Sequence, residues 1–209
     1  MDFKTDNLLN QANLDTHHSS LSSAEKTFAD EARSSEVFSA LKAKLLNIQE
    51  WNDHSMLSSY QLFDENGQTL KTEKLAVGQF LRISLKGTLK YDWIRILDIV
   101  EAADEFIITV KPASDPTAEK TDKSVISHFF TDESTNNFCL LKRANTVAFY
   151  VIGLDEKQNT SETKNALETI RNVAVNLGSY LGIQKGEWEK FCHDFLNDAS
   201  NEGTKTNAL

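Results

Sequence analysis

Residues 24–54 read AEKTFADEARSSEVFSALKAKLLNIQEWNDH, followed by SSYQLFDENGQ at 58–68 and VGQFLRISLKG at 77–87. The order is strand, helix, Trp-Asn, strand, Val-Gly, strand. A first strand is expected near residues 22–32. Ser34 and Ser35 suit a helix N-cap, and Glu36 suits the positive first turn. Val37, Phe38, Leu41, Leu45 and Ile48 recur at helical spacing, which predicts a helix from about Ser34 that packs by this stripe. Trp51 and Asn52 close the helical region. Asp64-Glu65-Asn66-Gly67 then predicts a tight turn after the strand at 60–63.

From Gln79 onward the period falls to two, with Leu81, Ile83 and Leu85 alternating with Phe80, Arg82 and Ser84. Further strands are predicted at 93–100, 106–111, 125–131, 138–143 and 147–154. Short connections make neighbouring strands antiparallel. Residues 112–123, PASDPTAEKTDK, hold both prolines of the chain and read as a long surface loop. The last element is a helix over 161–181, with Leu167, Ile170, Ala174, Leu177 and Leu181 on one stripe and Val173 and Tyr180 beside it. Gly182 and Gly186 interrupt it. Trp188, Phe191 and Phe195 continue the apolar face on a second helical piece. So broad a face needs a broad partner, and the sheet supplies one.

This succession, over roughly residues 22–197, resembles the START-like, polyketide-cyclase-like (SRPBCC) superfamily. The resemblance implies an α+β helix-grip fold, a curved antiparallel sheet of about six to seven strands wrapped around a long C-terminal helix. It also implies a cavity between sheet and helix that takes a small apolar or amphipathic ligand, lipid-like or polyketide-like. Branches of the superfamily are enzymes of the cyclase or hydratase sort, and one acts on a chaperone.

The candidate cavity residues are Trp93, His128, Phe130, Phe138, Phe149, Tyr150, Val173 and Leu177. His128 lies in the strand VISHFFT, with Ile126 and Phe130 on its own face. It is either a satisfied strand histidine or a polar anchor or general base in the cavity. The strand aromatics either fill the core or contact ligand, and one residue can do both. Asp92, Arg95 and Arg143 lie in or beside strands that can equally turn them to water, and no residue is assigned as catalytic. A ligand-binding protein is the leading reading. An enzyme would need His128 or Asp92 facing the cavity, and a protein-interaction module would have a filled core instead.

The chain has 209 residues, 40% of them hydrophobic, and carries 31 acidic against 22 basic side chains for a net charge of −9. No stretch gathers the cations that a phosphate backbone demands, so nucleic acid is not an expected partner. With no repeat and no linker, residues 21–198 read as one domain. A mobile extension over 1–20 and a mobile tail over 199–209 flank it, although Leu8, Leu9 and Leu14 leave room for a short N-terminal helix. No apolar run matches a signal peptide or a membrane span, which predicts a cytoplasmic protein with no membrane insertion. Cys139 and Cys192 read as buried free thiols. Neither the glycines nor the histidines form a phosphate-loop, G-x-S-x-G or H-E-x-x-H pattern, and no metal or cofactor is expected.

Overall fold

The computed structural model describes residues 3–85, 91–118, 131–157 and 180–202. In chain order its elements are α1 (Lys4–Leu14), β1 (Ser20–Thr27), α2 (Glu31–Leu45), α3 (Ile48–His54), β2 (Ser58–Phe63), β3 (Phe80–Leu85), β4 (Tyr91–Glu101), β5 (Glu105–Pro112), β6 (Thr135–Arg143), β7 (Thr146–Leu154) and α4 (Tyr180–Glu202). The seven strands form one sheet in the order β1-β7-β6-β5-β4-β3-β2. Every neighbouring pair is antiparallel. The first strand thus lies beside the last, and a bulge between Ile96 and Asp98 breaks the β4–β5 register, a feature that bends a strand.

Alternation along the strands divides the sheet into two dressed faces. On β7, Val147, Phe149 and Val151 turn inward to the main core, joined there by Phe138 and Leu140 of β6 and Phe106, Ile108 and Val110 of β5. Val37, Phe38, Leu41 and Leu45 of α2 and Phe191, Cys192, Phe195, Leu196 and Ala199 of α4 cover this inner face.

The helical stripe of α2 packs as its spacing predicts, but the helix begins earlier. Asp30 is its N-cap, accepting from the Arg33 backbone N–H at 2.8 Å, while Ser34 and Ser35 lie inside the first turns and donate to the Glu31 carbonyl. Such back-bonding lets serine sit within a helix, so a serine pair alone does not mark its start. The turn after β2 forms as expected, and the Asp64 carboxylate accepts from the Asn66 and Gln68 N–H groups. Gly67, at φ +75°, is irreplaceable there on space alone, because a Cβ would lie 2.7 Å from the Pro116 carbonyl oxygen.

The outer face carries α1, within the segment expected as a mobile extension. Leu8, Leu9 and Ala12 pack on Ile107, Cys139, Ile152 and Leu154, whereas Leu14 is exposed. An apolar patch on the back of the sheet is the partner that this short helix needs, and it is assembled from strands far away in sequence. At the other end, α4 runs on through Glu202, past the residue 199 where the tail was expected to begin, with Ala199 and Ser200 buried. The expected strand at 125–131, apart from Thr131, and the expected helix over 161–179 lie outside the described residues.

Candidate functional site

The site is built where α4 meets the inner sheet face. Trp188, Phe191 and Phe195 follow one another at i, i+3 and i+7, so they share one side of α4. Their rings form a chain. Trp188 and Phe191 centroids are 5.4 Å apart and those of Phe191 and Phe195 4.3 Å, and Phe149 of β7 is 6.0 Å from each of the latter two. Phe138 of β6 sits 5.3 Å from Trp188 and 4.6 Å from Trp51 of α3. Tilted and edge-on pairs of this kind exploit the ring quadrupoles as well as apolar burial.

The Trp51-Asn52 pair explains itself here. Trp51 drops its indole into the core and donates its Nε1–H to the Leu45 carbonyl at 3.0 Å. Asn52 behaves as a surrogate strand toward β2: its Oδ1 accepts from the Tyr60 N–H at 2.7 Å, and its Nδ2 donates to the Tyr60 carbonyl at 3.0 Å. One residue anchors the core while the next fixes α3 to the sheet.

Beside this apolar chain lies a polar clasp. Ser55, buried just after α3, donates from Oγ to the Glu187 carboxylate at 2.5 Å, and the Leu57 N–H donates to the same oxygen at 3.1 Å. Ser55 Oγ also accepts from the Ser58 N–H at 3.1 Å. Tyr60, buried against Trp51, is held as a neutral phenol because burial pushes its pKa well up and the nearby Glu187 charge adds to this, against hydrogen bonds with Ser55 and Ser58. Next along α4, the Trp188 Nε1–H is buried and has no hydrogen-bond partner among the described residues.

The structure brings only some of the predicted cavity residues together. Phe138 and Phe149 lie on the inner face under α4. Trp93 packs on the opposite face with Phe63, Ala113 and Phe80, and Tyr150 lies against the cluster beneath α1. Both are placed there by strand alternation: Trp93 is flanked by Ile94, which turns inward, and Tyr150 by Phe149 and Val151, which do the same. His128, Phe130, Val173 and Leu177 lie outside the described residues. Ser55, Ser58, Tyr60 and Glu187 escaped the sequence reading, since nothing in their local pattern foretells that α3, β2 and α4 converge. Arg95 faces outward, and Arg143 pairs with Asp6 of α1. An open groove of about 610 Å³ exists elsewhere, between the end of α2 and residues 71–74.

One further cluster has the residue types of a metal site. Glu50, His54 and Asp198 bring their ligand atoms within 4.8 Å of one another. The Lys44 ammonium, however, stands 3.0 Å from Glu50 Oε2 and 2.8 Å from Asp198 Oδ2, where a cation would sit. The cluster ties α2, α3 and α4 together as an ion-pair network. Both cysteines are buried free thiols, and desolvation pushes the Cys139 pKa up to about 12 and that of Cys192 also upward, which disfavours the nucleophilic thiolate.

A seven-stranded antiparallel sheet whose inner face is covered by the C-terminal helix defines the architecture. The fold is the helix grip. No protein-family model and no curated protein sequence matches the chain. Solved structures with a similar arrangement include a hypothetical protein from Helicobacter pylori, with 9% identity, a TM-score of 0.47, and coverage of 87% of this chain and 85% of the other. A protein from Arthrobacter aurescens has 11% identity and a TM-score of 0.45, over 90% and 88% of the two chains. A norcoclaurine synthase point mutant from Thalictrum, in complex with a transition-state analogue, has 8% identity and a TM-score of 0.46, over 89% and 96%. Likenesses this distant carry no weight for function; the helix-grip assignment rests on strand order and on α4.

Proposed function

We propose that this protein binds a small apolar or amphipathic ligand between the inner sheet face and α4, next to Trp188 and the Glu187 clasp, without transforming it. The observation that carries this reading is the buried Trp188 Nε1–H, without a hydrogen-bond partner among the described residues and set among Phe138 and Phe191. Leaving such a donor unpaired costs about 1–3 kcal/mol, and a ligand with an apolar body and one acceptor would recover that cost. Two free, buried thiols support a cytoplasmic setting.

Trp188→Phe tests it, since the ring is kept and the donor removed. The apo protein should become more stable, by up to about 1–3 kcal/mol in chemical denaturation. Its affinity for a bound amphipathic probe such as a fluorescent fatty acid should fall several-fold, read by titration. Probe binding unchanged by Trp188→Phe would overturn the site, and no probe binding to the folded parent would overturn the function. The second reading, an interaction module with a filled core, is favoured by the packing of Trp51, Phe138, Phe149, Phe191 and Phe195. Native mass spectrometry of protein from its own host separates the two, because only the first predicts a co-purifying small molecule.

A further inference from the structure

The outer face of the sheet differs between its two halves. One half is covered by α1. On the other, Phe63, Phe80, Arg95 and Lys111 stand directly opposite one another across β2, β3, β4 and β5, and Gln61, Arg82 and Trp93 form the adjoining row. Arg82 lies over the rings of Phe63 and Tyr91, at 5.2 and 5.0 Å, and Arg95 over Phe80 at 5.5 Å. Phe63, Trp93 and Ala113 form a small buried floor beneath them.

Two features of this half work against the folded chain alone. Like charges directly opposite on neighbouring strands are destabilising, and Arg95 faces Lys111. Among the described residues, Arg82, Arg95 and Lys111 make no ion pair, whereas Lys42, Lys142 and Arg143 each make one and Lys44 makes two. This happens in a chain whose acidic groups outnumber its basic ones 31 to 22. The same half carries the exposed ring of Tyr91, at 48% exposure. Gly78 lies beside this row, since a Cβ on it would be 3.9 Å from Arg95 Nη2, and its chain neighbour Val77 is 57% exposed.

We infer that this half of the outer face docks an acidic segment of a partner protein, one that carries apolar residues between its carboxylates. Arg82 donates from Nη2 to Gln61 Oε1 at 2.6 Å, and a guanidinium resting over an aromatic ring keeps its remaining N–H groups available at its edge for a carboxylate. Tyr91, with the exposed Val77 next to Gly78, gives the apolar side chains of the segment a place to bury. Carboxylates brought between Arg95 and Lys111 convert their repulsion into two attractions. A long polyanion is disfavoured by the same charge balance, since beyond three strands' width it meets a protein of net charge −9.

The probe is a fluorescein-labelled peptide of mixed Glu, Asp and Leu, titrated by anisotropy into the full-length protein at low and at physiological salt. Binding should weaken with salt, and the triple variant Arg82→Gln/Arg95→Gln/Lys111→Gln should lose at least about tenfold in affinity while its circular dichroism is unchanged. Peptide binding absent at low salt, or unchanged in the triple variant, overturns the inference. So does tighter binding of oligodeoxythymidylate than of the peptide, which would make this a nucleic-acid face. Lys111→Gln supplies a readout that needs no ligand. Relief of the opposed charges should raise the melting temperature by about 1–4 °C, and a fall would show that the cations serve the fold rather than a partner.

Discussion

Glu156 is held where a carboxylate is uncomfortable. It follows β7 and accepts a hydrogen bond from Ser20 Oγ at 3.0 Å, and desolvation raises its pKa above the ordinary 4.5 although that bond opposes the shift. A raised folded value means that folding favours the neutral acid. Its stabilising contribution is fully present below the unfolded pKa and is lost as pH rises through the folded one. Glu156→Gln keeps an acceptor for Ser20 and removes the charge, so its melting temperature should exceed the parent's at pH 7, with the gap closing as pH falls below about 4. A gap independent of pH would show that the carboxylate is already well solvated. Residues of this kind were not legible in advance, for the burial of Glu156 depends on its approach to Ser20, far back in the chain. Asn52 and Trp51 were legible as a pair, but their roles as strand surrogate and core anchor become visible only with β2 beside them.

Among elements, α1 shows how little of an outer-face helix can be read from its own sequence. Its N-cap residue, Phe3, offers no side-chain cap; instead the buried Glu105 of β5 accepts from the Thr5 N–H at 2.7 Å and the Lys4 N–H at 3.2 Å. A carboxylate at a helix N-terminus meets both unpaired donors and the positive end of the helix dipole. Lys4 adds an ion pair to Asp98, and Arg143 adds one to Asp6. Since the cap comes from a residue about a hundred positions away, no local capping pattern announces it. Glu105→Ala should cost about 1–2 kcal/mol, in the range of a lost cap. Hydrogen exchange should show the amides of α1 opening while those of β5 and β6 stay protected; equal loosening of helix and sheet would mean that Glu105 serves the sheet. The inner-face helices contrast with this. The stripes of α2 and of residues 188–195 were readable because each is a long run at one period, and they pack as that period requires. Phe191 is fully buried between Phe149, Trp188 and Phe195. Phe191→Ala should cost about 3–5 kcal/mol in denaturant unfolding. A value below about 1 kcal/mol would mean that α4 is not seated on the sheet.

At the scale of the molecule, the antiparallel pairing of neighbouring strands followed from their connections, whereas the direct pairing of β5 with β6, the return of β1 to β7 and the division of residues between two covered faces did not. Trp93 and Tyr150 read as cavity residues because alternation fixes which neighbours share a face without saying which face carries which helix. The order of elements also bears on cooperativity. The first strand pairs with the last, from Ser20 against Gly153 to Thr27 against Thr146, and the final helix lies on that same edge, where the Cys192 Sγ approaches the Ser22 carbonyl at 3.9 Å. Arg33 of α2 donates to the Ser200 carbonyl at 2.6 Å, and Lys44 reaches Asp198, so the helix end is fastened to the early half of the chain. Closure of this kind argues against a division into two halves that each keep a core. We therefore expect residues 21–198 to behave as one unit. Denaturant unfolding followed by tryptophan fluorescence and by far-ultraviolet circular dichroism should give coincident transitions, because Trp51 and Trp188 sit in the shared core and Trp93 on the opposite face of the same sheet. Limited proteolysis should leave one large fragment. Two separated transitions, or two fragments that each stay folded after purification, would show that the early and late parts of the chain stand independently, and that the β1–β7 pairing is a contact between two domains.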